Sequence, residues 1–275
     1  MMPEEKEPDE PFEVINREGD PTLLLVCDHA SNYIPPEYES LGLPREQVNR
    51  HIGYDIGAAS VTRKLSRIMG APAVLSHFSR LLIDPNRGED DPTLMMRISD
   101  GAIIPGNRHA DNAEIERRLE RFYRPYHAAV DRQIDLMEGP VTGPRGRRSQ
   151  PVILSVHSFT PHWKGRTRPW EYGILYAEED DRLARSLLRQ LRREPGLLVG
   201  DNEPYRGALI NDSMHKHGFN RGLPHAVVEI RQDLINNERG AERAARLMHR
   251  VMMRVLEDMR VMSEQKSASV HRLRA

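Results

Sequence analysis

Two histidines and a glutamate stand where apolar runs give way to polar residues. In LLLVCDHASNYIP (23–35), residues suited to a sheet core are followed at once by Asp28 and His29. In PVILSVHSFTPHW (151–163), the run Val152–Val156 leads into His157, Ser158 and His162. In HAVVEIRQD (225–233), Glu229 lies inside an otherwise apolar stretch, with Arg231 two residues on. A carboxylate is costly to bury alone, so Glu229 needs a charged partner or a chemical task. One strand-end histidine is commonly structural and hydrogen-bonded. Two of them, with a strand-embedded glutamate, point to a site, because ligands in open α/β sheets bind beyond the carboxyl ends of strands. Imidazole nitrogen and carboxylate oxygen together suit zinc with one position left for water. Such a metal lowers the pKa of its water to about 7, and a nearby carboxylate can take the proton and pass it to a leaving amine.

Two further stretches carry suitable groups. In SRLLIDPNRG (79–88), Arg80, Asn86 and Arg87 flank a short apolar run. Guanidinium forks match carboxylates, and an amide can polarise a carbonyl oxygen beside them. A Pro-Asn-Arg turn directly after a strand would hold these side chains in place. In NRHIGYDIGAAS (49–60), His51 and Asp55 precede a helical pattern. Asp55 reads either as that helix's N-cap or as a carboxylate metal ligand. Nucleophilic catalysis by Cys27 or Ser158 competes weakly. No Gly-x-Ser-x-Gly elbow occurs, and a cysteine inside an apolar run is usually inert.

The elements that must position these groups alternate along the chain. Strands are expected at Leu23–Cys27, Ala73–Ser76, Leu81–Ile83, Val152–Val156, Tyr172–Tyr176 and Ala226–Ile230. Helices are expected at Gly57–Met69, at Asn112–Met137 with a break at Pro125, at Asp181–Arg193 and at Ala241–Met262. The order implies an α/β fold, a mixed, mostly parallel sheet between helices. The stripe Ala244, Met248, Val251, Val255 and Met259 reads as core packing rather than a cofactor site. One domain is expected over 13–262, with polar tails at 1–12 and 263–275. A Gly/Pro/Arg loop interrupts the pattern at 139–151.

With 40 basic and 41 acidic residues among 275, the formal net charge is −1, so no global field selects nucleic acid or an acidic membrane. PRGRRS (144–149) is one short basic loop without interleaved aromatics. The single cysteine rules out an internal disulfide framework and suits a reducing compartment. No run reaches membrane-helix length, and the acidic N-terminus lacks the regions of a signal peptide. A cytoplasmic location is expected, with the oligomeric state left open.

Taken together, DHASNYIPPEY, HIGYDIGA, SRLLIDPNR, YRPYH (123–127), VHSFTP, DNEPYRG (201–207) and VVEIRQD resemble the N-formylglutamate amidohydrolase family over roughly residues 20 to 235. The resemblance implies a fold similar to the zinc-dependent exopeptidases and acylases, in the broader phosphorylase/hydrolase-like class. It implies His29 and His157 as zinc ligands, Asn86 and Arg87 as the substrate-gripping pair, and Glu229 as the base. Arg80 and Arg231 join the expected substrate contacts. Three residues after His29, where those enzymes carry a glutamate ligand, this sequence has Asn32. Asp55 is the expected replacement, with Asp28 and His51 as alternatives. The implied activity is metal-dependent hydrolysis of an N-acyl amino acid, N-formyl-L-glutamate foremost, to formate and glutamate. A non-catalytic binding protein for acyl-amino acids is the alternative.

Overall fold

The computed structural model describes residues 10–139, 150–207 and 210–272, with side chains to residue 260. Residues 1–9 and the PRGRRS segment lie outside the described residues. One seven-stranded sheet organises the rest. Its strands are β1 (Phe12–Ile15), β2 (Leu23–Cys27), β3 (Ala73–Ser76), β4 (Val152–Phe159), β5 (Tyr172–Leu175), β6 (Val199–Asp201) and β7 (His225–Arg231). The spatial order is β1-β3-β2-β4-β7-β5-β6. Only the β1–β3 and β7–β5 pairings are antiparallel; the other neighbours run parallel. The sheet is therefore mixed and mostly parallel, as the alternation of elements implied.

Side chains alternate across a strand, and the sequence uses both faces. Leu23, Leu25, Cys27, Leu154, Val156 and Val228 pack against the helices Ala58–Met69, Arg182–Leu191 and Glu238–Arg272. Leu24, Val26, Val74, Ile153 and Val227 face the other core, with Phe78, Phe122, Tyr126 and Val130. Burying both faces of central strands demands near-continuous apolar runs, which is what these strands show.

Four local expectations need correction. Leu81–Ile83 is a buried turn rather than a strand. Its carbonyls find side-chain donors, Asn107 Nδ2 on Leu81 at 2.8 Å and Arg118 Nη1 on Leu82 at 2.8 Å, so the buried backbone is satisfied without a sheet. The break expected at Pro125 is a π-helical turn over Leu119–Tyr123. The helix then resumes at Arg124 with proline in its first turn, where the missing N–H costs nothing. Strand β4 runs on to Phe159, which places His157 inside the strand rather than beyond its tip. At the C-terminus the helix continues to Arg272, so most of the expected polar tail is helical. Among the described residues no helix is long and apolar enough to cross a membrane.

Candidate active site

The face of the sheet that carries Leu24, Val26, Ile153 and Val227 changes chemistry as its strands run toward their carboxyl ends. Continuing the two-residue period, Leu24 and Val26 lead to Asp28. Ile153 leads to Ser155 and His157, and Val227 leads to Glu229. Parallel register sets Glu229 directly opposite His157 on the neighbouring strand. The strand alternation that builds the core thus delivers four polar groups, Asp28, Ser155, His157 and Glu229, to one edge of it.

His29 and Asp55 close the cluster. One ligand atom each from His29, Asp55 and His157 lie within 4.8 Å of one another, and all three residues are buried. The Nδ1 atoms of both imidazoles turn toward Asp55 Oδ2, at 3.3 Å for His29 and 2.8 Å for His157. The opposite nitrogens are held from behind: His29 Nε2 by Asp84 Oδ1 at 2.7 Å, and His157 Nε2 by Asp28 Oδ2 at 3.1 Å. Asp55 is not a helix cap. The helix starts after Gly57, whose φ is 83°, with no side-chain cap bond. Asp28 sits behind His157, and His51 lies 3.4 Å from Asp100 Oδ2, so neither alternative joins the cluster. Asn32 hydrogen-bonds to Asn49 instead.

The charges in this cluster are strongly perturbed. Burial opposes ionisation of Asp28, yet its hydrogen bond to His157 holds the carboxyl below the usual range. Asp55 is likewise lowered against burial by His29 and His157, and Asp84 by Arg80 and His29. Burial also disfavours a charged His157, but its bonds to Asp28 and Asp55 lift its pKa well above the ordinary value. Glu229 goes the other way. Burial, with Asp55 adding to it and His157 opposing, pushes its carboxyl up to about 7. Its Oε2 is buried with no hydrogen-bond partner.

His29, Asp55, His157 and Glu229 open into a cavity of about 420 Å³, lined also by Arg80, Asn86, Arg87, Trp163, Tyr205 and Arg206. Arg80 donates Nη2 to Asp84 at 2.7 Å and Nη1 to His29 Nδ1 at 3.2 Å. Arg87 is braced by Nε on the Thr93 hydroxyl and Nη1 on the Asn86 carbonyl. Arg231 does not reach the cavity, which corrects its expected substrate contact. The chain turns into a short helix at Gln232, and the guanidinium pairs with Asp233 at 2.8 Å and the Pro169 carbonyl at 3.2 Å. The nucleophilic alternative also loses ground. Cys27 is fully buried, with burial raising its thiol pKa, and the Ser158 hydroxyl donates to the Ile56 carbonyl.

Sequence reasoning missed Asp84, which sits in the turn mistaken for a strand end. It missed Ser213 and Tyr126, whose hydroxyls donate to Asp28 at 2.5 and 2.9 Å. Tyr126 belongs to the YRPYH motif, and Tyr123 of the same motif donates to the Arg87 carbonyl at 2.6 Å. That motif was the available signal: it braces the site from the helix behind it.

Comparison with known proteins supplies an independent line. Gene product Atu2144 from Agrobacterium tumefaciens is similar at a TM-score of 0.84 and 35% identity, over 91% of this chain and 96% of that one. The N-formylglutamate amidohydrolase from Ralstonia eutropha JMP134 shares the fold at a TM-score of 0.63 and 23% identity, over 91% and 98% of the two chains. No curated protein matches the chain. The model of the N-formylglutamate amidohydrolase family matches residues 22–236, the span that holds every strand from β2 to β7, the His29–Asp55–His157 cluster and Glu229. The chain is an amidohydrolase and belongs to the N-formylglutamate amidohydrolase family.

Proposed function

We propose that this enzyme hydrolyses the amide of N-formyl-L-glutamate or a close N-acyl relative, using a zinc ion held by His29, Asp55 and His157. One observation carries the metal: both Nδ1 atoms converge on Asp55 while both Nε2 atoms are engaged by buried carboxylates. Carboxylates behind imidazoles fix the tautomer that leaves the inner nitrogen as a ligand and raise its basicity. Two nitrogens and one oxygen, buried, with an open cavity beside them, fit a catalytic zinc site. When bound there, zinc supplies Lewis-acid polarisation and lowers the pKa of a water.

The chain's own residues do the rest. Glu229 has a buried, unpartnered oxygen and a pKa near neutrality, so it can accept a proton from water and deliver it to the departing amine nitrogen. Arg87, held by Thr93 and by the Tyr123 bond to its carbonyl, offers its remaining guanidinium nitrogen to the substrate α-carboxylate. Asn86 stands beside it to polarise the scissile carbonyl, its own backbone N–H fixed on Asp84 at 2.9 Å. Arg80, bonded to Asp84 and to His29 Nδ1, would keep the His29 ring in place for the metal that His29, Asp55 and His157 would hold. A cytoplasmic site of action accords with a substrate of this kind. The test is elemental analysis alongside formate release from a panel of N-formyl, N-acetyl and N-succinyl amino acids. The reading expects one zinc per chain and fastest turnover of a formyl substrate; ligand binding with no hydrolysis of any member contradicts it.

A further inference from the structure

The substrate proposed above carries two carboxylates, and the bracing of the cavity's cations leaves one guanidinium without a task. Arg80 is engaged by Asp84 and His29. Arg87 is committed through two of its three nitrogens, and His51 lies against Asp100. Arg206 also lines the cavity, yet it has no hydrogen bond or ion pair among the described residues.

Arg206 is carried on a seated turn. Asn202 Oδ1 accepts from the backbone N–H of Tyr176 at 3.0 Å and of Gly207 at 3.3 Å. Two glycines let the turn lie this close. A Cβ on Gly173 would stand 1.9 Å from the Glu203 carbonyl oxygen, and one on Gly207 would stand 2.3 Å from Tyr176 N. Tyr205 is held under the Arg168 guanidinium, 4.8 Å from its ring centroid. Gly173 is the register partner of Glu229, so the turn rests over the strand position next to the proposed base. The turn follows β6, whereas Arg87 follows β3. In the sheet order these strands lie on opposite sides of β4 and β7, which carry His157 and Glu229.

We propose that Arg206 is the specificity-determining residue for an acidic substrate side chain, holding the distal carboxylate while Arg87 holds the α-carboxylate. This rests on the amidohydrolase reading of the site given above. A cavity with Arg80 and Arg87 near the chemistry and a further, unpaired cation on a separate fixed turn matches a dicarboxylate better than a neutral acyl amino acid. A guanidinium left open is geometrically suited to a carboxylate fork.

The experiment compares N-formylglutamate with N-formylglutamine, which has the same shape without the distal charge, on the full chain and on Arg206→Gln and Arg206→Lys. In Arg206→Gln the glutamate-over-glutamine ratio of kcat/KM is expected to fall roughly tenfold to a hundredfold, through KM. Formylglutamine, which lacks the distal charge, is expected to lose far less than formylglutamate, and Arg206→Lys recovers part of the ratio. An unchanged ratio, or equal losses on both substrates, overturns the assignment. If the wild type hydrolyses neither substrate, the reading beneath the proposal fails. Calorimetric titration with glutamate and glutamine then judges Arg206 without turnover: selective loss of glutamate binding in the variant upholds it, and equal binding overturns it.

Discussion

Around one cavity, two sets of polar side chains differ in how completely they are paired. Behind the histidines the network is nearly closed, although Arg80 Nε is buried without a hydrogen-bond partner. Asp28 accepts from Tyr126, Ser213, Ser155 and His157, and Asp84 accepts from His29, Arg80 and the Asn86 backbone. Facing the cavity the network is open: Glu229 Oε2 and Arg206 have no partner among the described residues. Buried polar atoms are ordinarily satisfied, which makes the orphaned Glu229 oxygen the exception, whereas Arg206 is exposed; on the proposed reading the closed set fixes geometry in advance and the open set is where water and substrate complete the site. Preorganised groups of the first kind need no rearrangement at the moment of reaction.

The sharpest way to break this contrast is to remove a member of the closed set that faces inward. His157→Ala is expected to abolish metal retention and turnover together, read by elemental analysis and formate release. Retained metal with retained activity would show that the cluster is only a buried ion-pair network. The open set should respond differently. Glu229→Gln is expected to keep its metal and lose about 10²–10⁴ in kcat; loss of metal instead would make Glu229 a ligand. Next in size, the orienting carboxylates are expected to act on affinity alone. Asp84→Asn and Asp28→Asn should weaken metal binding by about 10–100-fold, measured against a competing chelator. Wild-type affinity in both would mean that the Nε2 contacts do not orient the ligands.

The smallest effect is on stability. The Glu229 carboxyl is raised to about 7 in the folded chain, so the fold favours its protonated form. The benefit is fully present below the ordinary carboxylate pKa and is lost as pH rises through about 7. Glu229→Gln lacks that titration. Stripped of metal, the variant should therefore exceed the wild type above pH 7 by roughly 1–3 kcal/mol, with the gap closing below about pH 4.5. Thermal unfolding of both proteins across this pH range checks the sign. A wild type more stable than the variant at high pH would mean that the ionised carboxylate has a partner. The same titration limits catalysis: kcat/KM should fall as pH drops through about 7, or somewhat lower once a cation lies nearby.

The contrast also explains what the sequence could reveal. His157 and Glu229 were legible because strand alternation is a local signal against which a polar residue at an apolar position stands out, and His29 because it follows directly on the end of an apolar run. Asp55 was ambiguous, since a carboxylate before a helix serves equally as a cap; only its contacts with His29 and His157, distant in sequence, show that it is not one. Asp84 was hidden because its turn looks like a strand until Asn107 and Arg118, distant in sequence, supply the carbonyl partners. Strand β6 escaped notice because three residues containing a glycine and an aspartate carry no strand pattern. Arg231 misled for the opposite reason. Two residues beyond Glu229 it shares the strand's face by period, but the chain turns there and Asp233 captures it. Local pattern specified the backbone of the site, and tertiary pairing specified which atoms were left open.

The most direct test of the central claim is to treat the purified enzyme with a chelator, measure its metal content, and follow formate release from N-formylglutamate before and after zinc is restored. The account expects one zinc per chain at the start, activity falling in step with its removal, and recovery on adding one equivalent back. Full activity in protein shown to contain no metal would contradict it.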